Sequence, residues 1–299
     1  MPLRERQAIA EEFNPPFSIF RPREQTSPLV FCSPHSGRIY PSVLRQATRL
    51  DELGLRKSED CYVDELFAGV VGAGAPLLAA HFPRAYLDVN REPFELDPEL
   101  FDEPLPPFAN PQTMRVIGGL GTIPRIVAEA EEIYDAPLPL AVALERIERL
   151  YRPFHDALRQ LLETTRERFG YAVLIDCHSM PSASLTFPAA ARPEFILGDR
   201  FGSSCDFRIT RCVREALGDL NYKVQLNRPY AGGFITEHYG RPTENMHAVQ
   251  IEINRGLYLN EHTLERARHF SAFQRDMGSL VDRLVARIPA ALERRAAAE

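Results

Sequence analysis

The chain is short of several things, and each shortage closes off a class of protein. Its five cysteines are odd in number and form no CxxC pair. No structural disulfide is expected, and a reducing, cytoplasmic setting fits that usage. No apolar run approaches the ~18–20 residues of a membrane span. The opening Met-Pro-Leu-Arg-Glu-Arg has no apolar core of the kind a signal peptide needs. There is no basic excess either: 35 lysines and arginines face 41 aspartates and glutamates, a net charge of −6. That balance argues against nucleic acid and anionic membrane as partners. Repeats and linkers are also lacking, so a single domain over residues 1–299 is the economical expectation.

What is present is ordinary globular material, 44% hydrophobic and 25% charged over 299 residues. Its organisation lies in short apolar runs that end in polar residues. Leu29–Cys32 leads to Ser33-Pro34-His35-Ser36-Gly37, and Ala85–Val89 to Asn90-Arg91. Ala172–Ile175 leads to Asp176-Cys177-His178-Ser179, and Ala248–Ile251 to Glu252-Ile253-Asn254-Arg255. Such runs read as strands covered on both faces, and ligands of an open α/β sheet bind beyond the carboxyl ends of its strands. Further strands are expected at Leu77–Ala80, Phe195–Gly198 and Lys223–Leu226. Helical spacing marks a short segment near Pro41–Thr48, one from about Asp60 to Val71, and longer ones over 140–168, 203–217 and 261–294. Residues 1–27 read as irregular surface. Residues 92–125, rich in proline and glycine, read as a long excursion of the kind that serves active sites.

Histidines at parallel strand ends suit metal ligation, so His35 and His178 are the first candidates. A catalytic zinc takes three protein ligands, often two histidines and one acid, plus an open position. Asp60, at a helix start, and Asp64, one turn on, are the rival acids. Glu252 is an acid inside an apolar strand, where burial favours a raised pKa and work as a general base. Arg84, Arg91, Arg125 and Arg255 fall beside strand ends or in the excursion, and together they suggest an anionic substrate. Cys177 neighbours His178, but alternation along a strand sends the two side chains to opposite faces. Gly118–Arg125 lacks the lysine of a phosphate-binding P-loop.

Read together, S-P-H-S-G (33–37), D-C-Y-V-D-E-L (60–66), R-A-Y-L-D-V-N-R (84–91), G-L-G-T-I-P-R (119–125), D-C-H-S (176–179), G-G-F-I-T-E-H-Y-G-R-P (232–242) and H-A-V-Q-I-E-I-N-R (247–255) resemble the N-formylglutamate amidohydrolase family over roughly residues 29–260. The resemblance implies an α/β fold similar to that of zinc carboxypeptidases, a mixed, mostly parallel sheet flanked by helices. It implies one zinc per chain held by His35, an acid and His178, and favours Asp60 over Asp64. It also implies Glu252 as the water activator, Arg84 as the oxyanion arginine, and Asn90-Arg91 as the grip on a substrate carboxylate. Arg125 or Arg255 would meet a second carboxylate. The compact H-x-x-E of carboxypeptidases is absent, since Arg38 stands three after His35. The activity implied is hydrolysis of the amide of a small anionic N-acyl, foremost N-formyl, amino acid such as N-formylglutamate. The rivals are a carboxypeptidase-type metallopeptidase and a non-catalytic binder of acidic ligands.

Overall fold

The computed structural model describes residues 2–127, 130–185 and 192–296. In chain order its elements are α1 (Pro2–Glu12), β1 (Phe17–Phe20), β2 (Leu29–Ser33), α2 (Ser42–Ala47), α3 (Glu52–Arg56), α4 (Val63–Leu66), β3 (Leu77–Ala80) and α5 (Met114–Ile117). There follow α6 (Leu140–Arg146), a π-helical turn (Ile147–Tyr151), α7 (Arg152–Phe169), β4 (Ala172–Met180), β5 (Phe195–Gly198) and α8 (Phe207–Gly218). The chain then forms β6 (Val224–Leu226), α9 (Phe234–Tyr239), β7 (Met246–Asn254) and α10 (Phe270–Ala296). The chain groups into two compact units. One comprises residues 1–18, 34–61 and 79–157, the other 19–33, 62–78 and 158–299. Each is assembled from three separate stretches, which is why no linker marks them in the sequence.

Seven strands form one sheet in the order β1-β3-β2-β4-β7-β5-β6, of which β2, β4, β7, β5 and β6 lie wholly in the second unit. β2, β4 and β7 run parallel, as do β5 and β6, while β5 opposes β7. This is the mixed, mostly parallel α/β sheet expected. Both central strands are buried along their whole nine-residue length, so they read as near-continuous apolar runs. Pleating gives the sheet two unlike faces. Phe195, Leu197, Ile251 and Ile253 share one face by register, and there the Phe273 ring of α10 stacks on Phe195 at 6.2 Å. Asp176, His178, Gln250 and Glu252 share the other.

The first unit is built around α6 and the turn that follows Pro83. Arg146, almost wholly buried, donates from Nε to Glu5 at 2.5 Å and from Nη1 to the Tyr134 hydroxyl at 2.7 Å. Glu5 also accepts from the Tyr86 hydroxyl. A charged cluster of this kind is tolerated because every member is paired. It also explains why residues 1–27 are not irregular, contrary to the reading from sequence. α1 buries Glu5, Ala8 and Ile9, and a stripe that includes a glutamate does not look like a buried face.

Two other expected elements differ. Ala85–Val89 is not a strand. The carbonyl of Pro83 accepts from the N–H groups of Tyr86 (2.9 Å) and Leu87 (3.2 Å), a turn that the fixed φ of proline favours. Residues 85–91 are nonetheless all buried, so their apolar content imitates a strand. The last helix begins at Phe270 rather than near 261. Asn260 and Thr263 take the N–H groups of His262 and Glu265, and such side-chain bonds compete with helix. The sequence also reads as a Pro-rich loop over 181–193, and of it residues 186–191 lie outside the described residues.

Candidate active site

In the first unit the functional side chains gather around one residue that the sequence reading passed over, Asp88. It is 1% exposed. Its Oδ1 accepts from His35 Nε2 at 2.8 Å and from the Asn90 N–H at 2.8 Å. Its Oδ2 accepts from Arg84 Nε at 2.9 Å and lies 3.4 Å from Arg91 Nη2. Burial alone would raise the carboxyl's pKa, but Arg84, Arg91 and His35 outweigh it and hold the group well below the usual carboxylate range. A carboxylate only accepts, so His35 Nε2 carries a proton and Nδ1 is the ring atom turned toward Asp60.

His35 follows β2 by two residues, and its loop is tight. A Cβ on Gly37 would come within 2.1 Å of the Phe82 carbonyl oxygen. The carbonyl of His35 accepts from the Asp60 N–H at 2.9 Å, and His35 Nδ1 lies 3.5 Å from Asp60 Oδ2. Of the two rival acids, Asp60 is therefore the one beside His35; Asp64 lies within α4.

Arg91 is fixed as firmly. Its Nε donates to the Leu120 carbonyl at 2.8 Å and its Nη1 to the Asn90 carbonyl at 2.7 Å. Burial pulls its pKa down to about 10 against the opposing effect of Asp88, and the charges of Arg84 and Arg115 add to the drop. Arg91 therefore remains a cation at neutral pH. The returning end of the excursion closes on the same turn, with the Asp88 N–H donating to the Thr122 carbonyl at 2.8 Å. Arg125 is not part of this group. It is held by Asp97 (2.8 Å), Glu99 (3.1 Å) and Glu132 (3.6 Å).

In the second unit β4 and β7 place His178 opposite Glu252 and Asp176 opposite Gln250. These residues lie inside the two strands rather than beyond their ends. His178 Nε2 lies 3.0 Å from Asp176 Oδ1, a close approach without the hydrogen bond that joins His35 to Asp88. Gln250 Nε2 donates to Glu252 Oε1 at 2.8 Å. Beside Glu252 on β5 stands Ile196, part of an apolar cluster with Met180, Leu185 and Tyr230. Arg255 is brought elsewhere: its Nε donates to Ser179 Oγ at 3.1 Å, and Ser179 alternates to the face opposite His178. Cys177 shares that opposite face, and its pKa is pushed well up by burial and by Asp176, so it is an inert core thiol.

A mixed α/β sheet whose central strands carry buried histidine and carboxylate side chains is a framework that suits a hydrolase. Comparison with known proteins narrows that class. A model of the N-formylglutamate amidohydrolase family matches residues 27–259, and the chain belongs to that family. The N-formylglutamate deformylase of Pseudomonas putida is 32% identical over 240 residues, which covers 78% of this chain and 82% of that protein. Its counterpart from Pseudomonas aeruginosa is 30% identical over 238 residues, covering 78% and 83%. The crystal structure of N-formylglutamate amidohydrolase from Ralstonia eutropha JMP134 superposes with a TM-score of 0.86 at 36% identity, covering 92% of this chain and 99% of that one.

Proposed function

We propose that this chain is a zinc-dependent amidohydrolase that removes the formyl group from N-formylglutamate. The observation that carries the metal is the 3.5 Å between His35 Nδ1 and Asp60 Oδ2. Two ligands about 2.1 Å from a tetrahedral zinc stand about 3.4 Å apart, whereas a hydrogen bond would draw them to about 3 Å. His178, buried in β4, is the third ligand in this reading, and each of the three residues can offer one ligand atom. β2, which runs into His35, and β4, which holds His178, are paired neighbours. His35 is also oriented through Nε2 by the buried Asp88, the outer-shell arrangement usual for zinc ligands. When bound, the metal supplies a Lewis acid for the amide carbonyl and for the attacking water.

The chain's own groups do the rest. Glu252 takes the proton from water on a carboxylate oxygen and passes it to the leaving nitrogen, which departs as the amine of glutamate while formate is released. Arg84, anchored through Nε on Asp88, meets the developing oxyanion. Arg91 has three of its five N–H groups committed to Leu120, Asn90 and Asp88. That leaves one on each terminal nitrogen, a fork for the α-carboxylate beside Asn90. Around Arg91 the charges of Arg84 and Arg115 face those of Asp88 and Glu95, so three guanidinium groups meet two carboxylates, and the excess of positive charge suits an acidic substrate. Arg125, with three acids of its own, has no place in this reading.

The test is direct. Purified protein should contain one zinc per chain and release formate from N-formyl-L-glutamate, and chelation should abolish the release. Glu252→Gln should keep fold and metal but lose about 10²–10⁴-fold in turnover. A protein without zinc, or a Glu252→Gln variant within a few-fold of wild type, would overturn the reading.

A further inference from the structure

Glu252 is held by a neighbour two residues back along β7. Gln250 is 4% exposed, and its amide orientation is set from outside the strand. The Gly233 N–H donates to Gln250 Oε1 at 2.8 Å. An N–H needs an acceptor, so the amide oxygen faces Gly233 and the NH₂ faces the other way. There it donates to Glu252 Oε1 at 2.8 Å. The Thr236 hydroxyl lies 3.3 Å from Gln250 Oε1 and 3.2 Å from Asp176 Oδ2, and its single proton is shared between the two. Asp176 Oδ1 in turn lies 3.0 Å from His178 Nε2.

The loop before α9 reaches this point because β5 lets it in. A Cβ on Gly198 would stand 2.4 Å from the Gly232 N and 2.6 Å from the Ala231 carbonyl carbon. Gly198 is opposite Gln250 in register. Gly232 has φ +109°, a conformation closed to side chains. Sequence and packing thus converge on one amide. We propose that Gln250 is a positioning residue: locked by Gly233 and Thr236, it fixes the rotamer of the Glu252 carboxylate, so that α9 and its loop set the aim of the proton-transferring group. This rests on the assignment of Glu252 as the base.

Kinetics of four proteins test it: wild type, Gln250→Glu, Glu252→Gln and the double variant, each zinc-loaded and assayed on N-formyl-L-glutamate. Gln250→Glu keeps acceptors for Gly233 and Thr236 but removes the donor to Glu252. It should lower kcat by about 10–100-fold, the worth of one hydrogen bond to a charged group, with KM within about three-fold and zinc content unchanged. In the Glu252→Gln background the same change should cost nothing more, because a residue that acts through another loses its effect with it. Near-normal kcat in Gln250→Glu, or losses that multiply in the double variant, would overturn the inference. Glu252→Gln alone reports on the underlying reading. Should that variant stay active, crystal structures of wild type and Gln250→Glu decide. A displaced Glu252 with Gly233 and Thr236 in place supports the inference, and an unmoved Glu252 overturns it. If the glutamate variant does not fold, Gln250→Met, neutral and of similar volume, serves in the same comparisons.

Discussion

His35 and Asp88 meet at 2.8 Å, both 1% exposed, and this pair joins the histidine to the arginine cluster. One oxygen of Asp88 orients the ring and the other holds Arg84 and Arg91. One carboxylate therefore orients the ring of a candidate metal ligand and anchors two guanidinium groups, whose joint charge it offsets only in part.

Asp88→Asn should be costly twice over. Breaking a buried ion pair by removing one partner destabilises by about 3–5 kcal/mol, and loss of an outer-shell carboxylate weakens metal binding by about 10–100-fold. Urea unfolding and a competitive zinc titration measure the two effects. If both are unchanged, Asp88 plays no part in the metal site.

Asp60 and Asp64 should separate cleanly. Asp60→Ala should emerge from purification depleted of zinc, while Asp64→Ala should keep one zinc per chain, because only Asp60 stands beside His35. The reverse pattern by metal analysis would make Asp64 the ligand.

Arginine chemistry gives a third prediction. Arg91→Lys should raise KM for N-formylglutamate by about ten-fold or more, since a lysine cannot reproduce the guanidinium fork. Arg125→Ala should leave KM within about three-fold and instead loosen the segment pinned by Asp97, Glu99 and Glu132. Amide-capped N-formylglutamate turned over as fast as the free acid would remove the carboxylate grip from the reading.

Acid should destabilise the fold in a defined window. Hydrogen bonds from Arg208 bring Asp206 down to about 2 despite partial burial, and Asp88 is lowered too. A folded-state pKa below the unfolded value of about 3.9 contributes stability that is complete above that value. The contribution is lost as pH falls from there through about 2. Thermal unfolding should therefore change little between pH 5 and 8 on account of these groups and weaken below about 4. Asp206→Asn should melt lower than wild type at pH 6, and the gap should close near pH 2.

Much of this was legible in the residues. β2, β4, β5 and β7 announced themselves by apolar runs, and His35, His178 and Glu252 by standing where such runs turn polar. Asp88 was missed although it carries the mark that exposed Glu252, a lone acid within an apolar stretch. It was read as part of a strand rather than as a residue buried in a turn. Gln250 gave no such mark, because an amide's importance depends on what lies on either side of it. The helix at Pro2–Glu12 was hidden by Glu5, whose partners Arg146 and Tyr86 are 141 and 81 residues away.

The π-helical turn at Ile147–Tyr151 has its own consequence. In a regular helix, residues five apart point about 140° away from each other; here Arg146 and Tyr151 reach the same stretch. Arg146 donates to the carbonyl of Tyr86 (3.1 Å), Tyr151 to that of Arg91 (2.6 Å), and His155 to that of Val89 (2.8 Å). Every amino acid has a carbonyl, so these clasps are blind to the side chains they hold. The route of residues 86–91 is written some 60 positions downstream, while their chemistry is written locally. Side chains in the 84–91 stretch can thus be changed with its path kept, whereas one residue added within 147–151 would turn the clasps out of phase and misplace a segment whose own sequence was untouched.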